Sequence, residues 1–278
     1  MTSEEGLASQ RRVARYILEN GRQVAFLTAQ ELAAEVGVSL ATVVRTAANL
    51  GFGNYYNLRG KLKEILMAST TPTWLELEKS WEKHAERNFF DRIVKENIES
   101  LRKLLAPETA TSIDRAVDLL DQAESIYVMG SRSSRAPALT LYFAFQQFLW
   151  NTHLLGEMGE DDLYENLLGI DGNDVFIAIS HGYPYYAVQT INAVKLASSR
   201  GIRVILLTDH PSNPCVMHSS VTIVVYGCEG HFSLVPLNTV LESLIVGLGM
   251  RRSEKAIDKL RTLWKTLIDN GVTLGREN

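Results

Sequence analysis

Between residues 124 and 250 the chain alternates two textures. Residues 126–129, 175–179, 204–207 and 221–225 are short, unbroken apolar runs, and 152–155 is a weaker one. Continuous rather than alternating apolarity marks strands covered on both faces, as in a parallel sheet. Helical patterns fill the spaces at 134–149, at 185–200 (ending on Gly201) and at 233–250. The last opens on Ser233 as a candidate N-cap and carries Pro236 in its first turn. Strands alternating with helices predict an α/β domain with a doubly wound, flavodoxin-like parallel sheet and right-handed crossovers. Such sheets bind ligands beyond the carboxyl ends of their strands, which points to residues 130–135 and 180–184.

The first 66 residues read differently, as short helices with tight connections. Residues 7–20 form a helix whose Leu7, Val13, Ile17 and Leu18 are candidates for packing. Thr28 and Glu31 have capping-box spacing, and a helix through Leu32, Ala33 and Val36 runs to Gly37. Ser39 can cap the next helix. There Leu40, Val43, Ala47 and Leu50 make an apolar stripe, leaving Thr42, Arg45, Thr46 and Asn49 to reach outward. Two short helices around a glycine-containing turn are the helix-turn-helix layout, whose second helix enters the major groove. Beyond Gly51, the basic and aromatic segment that includes Tyr55, Arg59 and Lys61 suits the flanking DNA backbone. Residues 72–107, bracketed by prolines, carry Trp74, Leu77, Trp81, Phe89, Ile93, Ile98, Leu101 and Leu105, which read as packing between domains or subunits.

Composition narrows this picture. With 278 residues and 46% hydrophobic positions the chain can bury a sizeable core and leans towards two domains. The net charge is −4, but residues 1–66 hold eight Lys or Arg against six Asp or Glu, the sign expected of the part that meets phosphate. Two cysteines make no disulfide framework, and neither a signal peptide nor a long apolar span is visible, so the expected setting is cytoplasmic, without membrane.

Leu32-Ala33, Gly37-Val38-Ser39, Ala41 to Arg45, Leu50-Gly51-Phe52, Tyr55 and Leu58 together resemble the N-terminal domain of the RpiR family of regulators. The resemblance implies that Ser39, Thr42 and Arg45 lie at or near DNA, with 55–61 close by. The chain departs from the family pattern at Thr46, where a bulky apolar residue is usual, and at Ala48 and Asn49, where basic residues are common. Downstream, Gly130-Ser131-Arg132-Ser133-Ser134 stands between a strand and a helix. Small residues let a backbone approach a ligand, serine hydroxyls and helix N-terminal N–H groups suit an anion, and Arg132 adds a forked cation. The unit resembles the first motif of the sugar isomerase (SIS) domain, and the likeness continues through Ser180, Gly201 to Ile205 and Thr208-Asp209. It implies a domain that binds phosphosugars, with Gly130, Arg132, Ser133, Ser134 and Ser180 as contacts. Where SIS domains carry a Ser/Thr-rich second loop, this chain has Ser180-His181-Gly182-Tyr183-Pro184-Tyr185-Tyr186. Two readings stay open there: tyrosines that stack on a sugar with a protonated His181 on phosphate, or tyrosines that fill the site around a structural His181, with a different polar metabolite as the ligand.

The expected division is 1–70 for DNA binding, 71–108 for a helical linker and 109–278 for ligand sensing. The expected partners are a double-stranded DNA operator and a small effector such as a phosphosugar, with the chain as a homodimer or homotetramer. Glu157, Glu160 and His231 are the available bases for an isomerase, but none sits in a motif, so no catalytic residue is expected; His231 is assigned to the ligand pocket instead. Cys215, His218, Cys228 and His231 have acceptable zinc donors, yet scattered Cys and His are commoner than a site, so neither metal nor cofactor is expected. A sugar-phosphate isomerase and a sugar-binding scaffold without DNA affinity are the competing readings.

Overall fold

The structure, a computed structural model, describes residues 3–69, 81, 88–156, 159–183, 185–228 and 231–273. Two compact units divide after Lys79. Trp74 and Leu77 lie outside the described residues.

The first unit holds α1 (Ser3–Glu19), α2 (Gly21–Val24), α3 (Ala29–Val36), α4 (Leu40–Ala47) and α5 (Tyr55–Ser69). Thr28 caps α3: its hydroxyl accepts from the Glu31 N–H, while Glu31 Oε2 accepts from the Thr28 N–H at 2.6 Å. Gly37 closes α3 in the left-handed region at φ 67°, a conformation that opens the turn into α4 at little steric cost. Ser39 caps α4, its hydroxyl accepting from the Thr42 N–H. The core comprises Val13, Ile17, Val24, Leu27, Leu32, Val43, Ala47 and Leu58.

Four expected packing positions are corrected. Leu7, Leu18, Leu40 and Leu50 are exposed, and the buried face of α4 is Thr42, Val43, Thr46 and Ala47. The threonines can face inward because their hydroxyls are satisfied locally. Thr46 Oγ1 donates to the Thr42 carbonyl at 2.7 Å, and Thr42 Oγ1 lies 2.9 Å from Ser39 Oγ.

The second unit is a five-stranded, wholly parallel sheet in the order β2-β1-β3-β4-β5, with β1 Ile126–Gly130, β2 Thr152–Leu154, β3 Val175–Ser180, β4 Arg203–Thr208 and β5 Val221–Val224. Its helices are α6 (Phe89–Lys103), α7 (Pro107–Asp121), α8 (Arg135–Phe148), α9 (Glu160–Gly169), α10 (Val188–Ser199), α11 (Val235–Arg251) and α12 (Ser253–Asp269). On one face, Val128, Ile177, Ile205 and Ile223 pack with residues of α7, α8 and α11, including Leu120, Phe145 and Leu241. On the other, Met129, Phe176, Ala178 and Leu206 pack with Leu163 and Leu167 of α9 and Val194 of α10. Every residue of β3 is buried, which is why its apolar run is continuous. The helix expected from 185 starts only at Val188, and the one expected from 233 starts at Val235, where the Ser233 hydroxyl accepts from the Val235 N–H. Trp81, Phe89, Ile98 and Leu105 are exposed on this chain.

The strand order reverses at β1: β2 flanks it on one side and β3 on the other. This switch point is where an open α/β sheet leaves a crevice at its carboxyl edge. Gly130 pairs with Ile179 and Ser180 with Thr208, so the loops after β1, β3 and β4 emerge side by side.

Candidate nucleic-acid interface and ligand pocket

In the first unit the candidate DNA residues separate into two groups. Ser39, Arg45, Asn49 and Lys61 are exposed. Asn49 Nδ2 donates to Gln10 Oε1 at 2.9 Å, which ties the end of the helix pair to α1. The other group is structural. Tyr55 is only 6% exposed, and its hydroxyl donates to the Leu27 carbonyl at 3.0 Å; burial pushes its pKa up to about 12. Arg59 is half-buried and its guanidinium reaches the same carbonyl at 3.5 Å. Thr42 and Thr46 face the core, as described above. Tyr55 and Thr46 therefore position α4 and α5 from inside.

In the second unit, the loop after β1 is built by close approach. A Cβ on Gly130 would lie 2.1 Å from the Ser134 carbonyl oxygen, so only glycine permits this turn. Arg132 takes φ +55°, a conformation costly for a non-glycine residue and concentrated at ligand sites. Ser133 and Ser134 donate to the His181 carbonyl at 3.1 and 3.3 Å, and the His181 N–H donates to Ser134 Oγ at 3.0 Å. These bonds clamp the first loop to the second. Ser131 Oγ donates to Gln189 Oε1 and accepts from Thr190 Oγ1, binding the same loop to α10.

Ser131, Arg132, Ser133, Ser134, Ser180, His181, Tyr185 and Thr190 line one pocket. Gly130 sits beneath it at the end of β1. Tyr183 instead stacks on His210, with ring centroids 4.3 Å apart, and Pro184 lies outside the described residues. His231 Nδ1 is 2.9 Å from Glu96 Oε2, on α6, rather than among the residues lining the pocket. Its neighbour Phe232 does reach the site, edge-on to the His181 ring.

Two residues not assigned to the site from the sequence, Asp209 (part of the SIS likeness alone) and Asn213, hold the second and third loops. Asp209 Oδ2 accepts from the Gly182 and Tyr183 N–H groups at 2.8 and 2.7 Å. Asn213, 1% exposed, donates through Nδ2 to the Ser180 carbonyl, Ser180 Oγ and Thr208 Oγ1, and its Oδ1 accepts from the Cys215 N–H. The only available signal was for Asp209, which follows an apolar strand at the ligand edge of the sheet.

His181 is the electrostatic oddity. It is buried, neither ring nitrogen has a hydrogen-bond partner among the described residues, and Nδ1 stands 3.7 Å from Asp209 Oδ2. Burial lowers its pKa below the ordinary histidine value, with Asp209 opposing. The unfolded chain therefore binds more protons at this position once pH falls to the ordinary value near 6.5, and this histidine's contribution to the stability of the second unit is lost as pH falls from there towards its lowered folded value. His181→Gln should shrink the drop in urea midpoint between pH 7.5 and pH 5.5 relative to wild type. An equal drop in both proteins would refute this account.

Cys215 is buried against the α10 face, where desolvation raises its pKa to about 12, whereas the Cys228 thiol lies at Ser100 and Asn97 of α6. Cys215 thus shares a turn with His218, whose N–H donates to the Cys215 carbonyl, whereas Cys228 and His231 both lie against α6. Of the candidate bases, Glu157 lies outside the described residues.

An N-terminal helix-turn-helix followed by a doubly wound sheet with a hydroxyl-lined loop at its switch point has the layout of a DNA-binding unit joined to a ligand-binding α/β unit. Residues 2–69 match the model of the helix-turn-helix domain of the rpiR family, and residues 119–247 match that of the SIS domain. The chain thus joins a helix-turn-helix domain of the rpiR family to a SIS domain. It is similar to the HTH-type transcriptional regulator HexR of Pseudomonas aeruginosa, with 27% identity over 97% of this chain and 94% of that protein. Its fold resembles that of Vibrio vulnificus NanR complexed with ManNAc-6P, with a TM-score of 0.60, 22% identity, and coverage of 94% of this chain and 93% of that one. The sugar isomerase domain of an RpiR transcription factor from Sphaerobacter thermophilus gives a TM-score of 0.56 at 26% identity, covering 63% of this chain and 97% of that one.

Proposed function

We propose that this regulator binds a palindromic operator as a homodimer or dimer of dimers, and that a phosphorylated sugar derivative in the SIS domain sets its DNA affinity. The single observation that carries the effector reading is the pocket at the switch point. There the serines of 131–134 and the buried imidazole of His181, whose ring nitrogens have no hydrogen-bond partner among the described residues, converge beside Arg132. A phosphate needs a forked cation and further donors within reach: Arg132 supplies the first and the His181 ring one of the second, while the serine hydroxyls, which now donate to Gln189 and the His181 carbonyl, would turn from those acceptors to a ligand. The NanR relative holds a sugar phosphate in this fold, which supports the same ligand class here. On the DNA side, Ser39 at the start of α4, Arg45 within it and Asn49 just beyond its end are the exposed polar residues, with Lys61 on the adjoining helix. We assign no turnover to the SIS domain, since relatives that match most of this chain, HexR among them, are named as transcriptional regulators. Among the described residues no helix is long and apolar enough to cross a membrane.

The test is selection of operator from random duplex DNA, then titration of the selected site with and without a panel of phosphosugars. Arg45→Ala should weaken operator binding by about five- to 150-fold, the scale of one good base contact at about 1–3 kcal/mol. One phosphosugar should shift the affinity of wild type but not of Arg132→Ala. Absence of any enriched duplex at moderate salt sinks the DNA-binding half of the proposal; an enriched duplex indifferent to every phosphosugar sinks the effector half.

A further inference from the structure

The exposed face of α4 is unusually apolar for a surface helix. Leu40 is 49% exposed and Val44 42%, and Ala41 and Ala48 are exposed with them. Residues 40, 44 and 48 follow each other at intervals of four and so form one ridge, with 41 and 45 as the adjacent row. The core does not need this ridge, because the opposite face already buries Thr42, Val43, Thr46 and Ala47 against the rest of the unit. Arg45 is exposed in the middle of it, and the first 66 residues carry eight Lys or Arg, which suits a polyanion better than an apolar protein partner. In the helix-turn-helix the amino-terminal part of the second helix meets base edges in the major groove. The apolar group displayed there is the 5-methyl of thymine.

We propose that Leu40, Ala41 and Val44 determine operator sequence by packing on thymine 5-methyl groups, with Arg45 making the adjacent polar contact. This rests on the DNA-binding reading and adds to it the chemistry by which bases are chosen. It accounts for a helix that exposes few groups able to hydrogen-bond a base: specificity comes from burying methyl groups, and polar contacts fix the register. The ridge predicts that each half-site carries at least one thymine whose methyl, not its hydrogen-bonding pattern, is read.

The experiment uses the full chain and its selected operator, with each half-site thymine replaced in turn by deoxyuridine. This change deletes one methyl and leaves base pairing and the major-groove acceptor intact. Losing one buried methyl, worth about 0.8 kcal/mol, should weaken binding about fourfold at one or more positions. The thymine-to-uracil ratio at one of them should fall towards one in Val44→Ala or Leu40→Ala. Both side chains are exposed, so neither variant should change the thermal unfolding of the protein, and Val44→Ser provides a second variant of similar size in which the apolar surface is lost. If the operator binds but no uracil substitution changes affinity, or the ratios are identical in wild type and both alanine variants, the inference is overturned while the DNA-binding reading stands. A change in oligomeric state in Leu40→Ala or Val44→Ala, with uracil neutral throughout, would mean that the ridge is a protein contact, and also overturns it. Failure to recover any operator overturns the DNA-binding reading and this inference together.

Discussion

Gly130→Ala is expected to dismantle the first ligand loop. The added Cβ would stand 2.1 Å from the Ser134 oxygen, 2.7 Å from the Ser134 carbonyl carbon and 3.0 Å from Ala138 Cβ. The first two are backbone atoms, so no rotamer change relieves the contact; the turn itself must open. Gly130 also lies in register with Ile179 in the sheet interior, which stops β1 from moving aside. The response must therefore fall on 131–134, whose bonds to the His181 backbone would be stretched or broken. Overpacking of this kind costs about 1–3 kcal/mol, and the second unit, roughly 200 residues long, should lose about 2–4 °C in Tm for each kcal/mol. The variant should also lose the effector-dependent shift in operator affinity while keeping operator binding itself, since the clash lies in the second unit. Unchanged Tm together with an unchanged effector response would show that the loop tolerates the methyl and that the close approach is not what shapes the site.

What could be read in the sequence follows from how local each cause is. The strands were legible because burial on both faces removes polar residues from consecutive positions, and β3 shows the limiting case, with all six residues buried. The cap of α3 was legible because Thr28 and Glu31 satisfy each other three residues apart. The glycine-serine loop was legible because small and hydroxylic residues cluster at a strand end. The misread positions depend on partners far away or on geometry that residue type conceals. Tyr55 looked like a DNA-facing aromatic, yet its hydroxyl goes to a carbonyl 28 residues earlier. Thr42 and Thr46 looked outward-facing because they are polar, but hydroxyls bonded within their own turn can be buried without cost to their hydrogen bonding. His231 was placed at the pocket by its position before α11, and its partner Glu96 lies 135 positions away. The apolar ridge of α4 was half-seen: Leu40 and Leu50 were assigned to the core, because periodicity identifies which residues share a face but not whether that face is covered.

The same distinction between local and distant causes sets the expected result at Asn213, a residue without any motif around it. Its side-chain amide donates to three oxygens on two strands and its carbonyl oxygen accepts from the Cys215 N–H, all in a fully buried setting. Asn213→Ala leaves the Ser180 carbonyl and the Cys215 N–H without these partners, and each buried polar group so stranded costs about 1–3 kcal/mol. The two hydroxyls can rotate towards other partners, so the loss should come mainly from the two backbone groups and total about 2–6 kcal/mol. Ser180 would then lose the anchor that fixes it at the pocket rim, and effector affinity should fall even though Asn213 is not among the pocket-lining residues. Ser180→Ala separates the two effects. It removes the hydroxyl but leaves its backbone carbonyl bonded to Asn213, so it should be close to wild type in urea unfolding while weakening effector binding. If Asn213→Ala unfolds at the same urea concentration as wild type, the buried network is not what holds the second loop. If it is destabilised yet binds effector normally, Ser180 is held by the clamp from Ser133 and Ser134 alone, and the link from the β4 loop to the pocket fails.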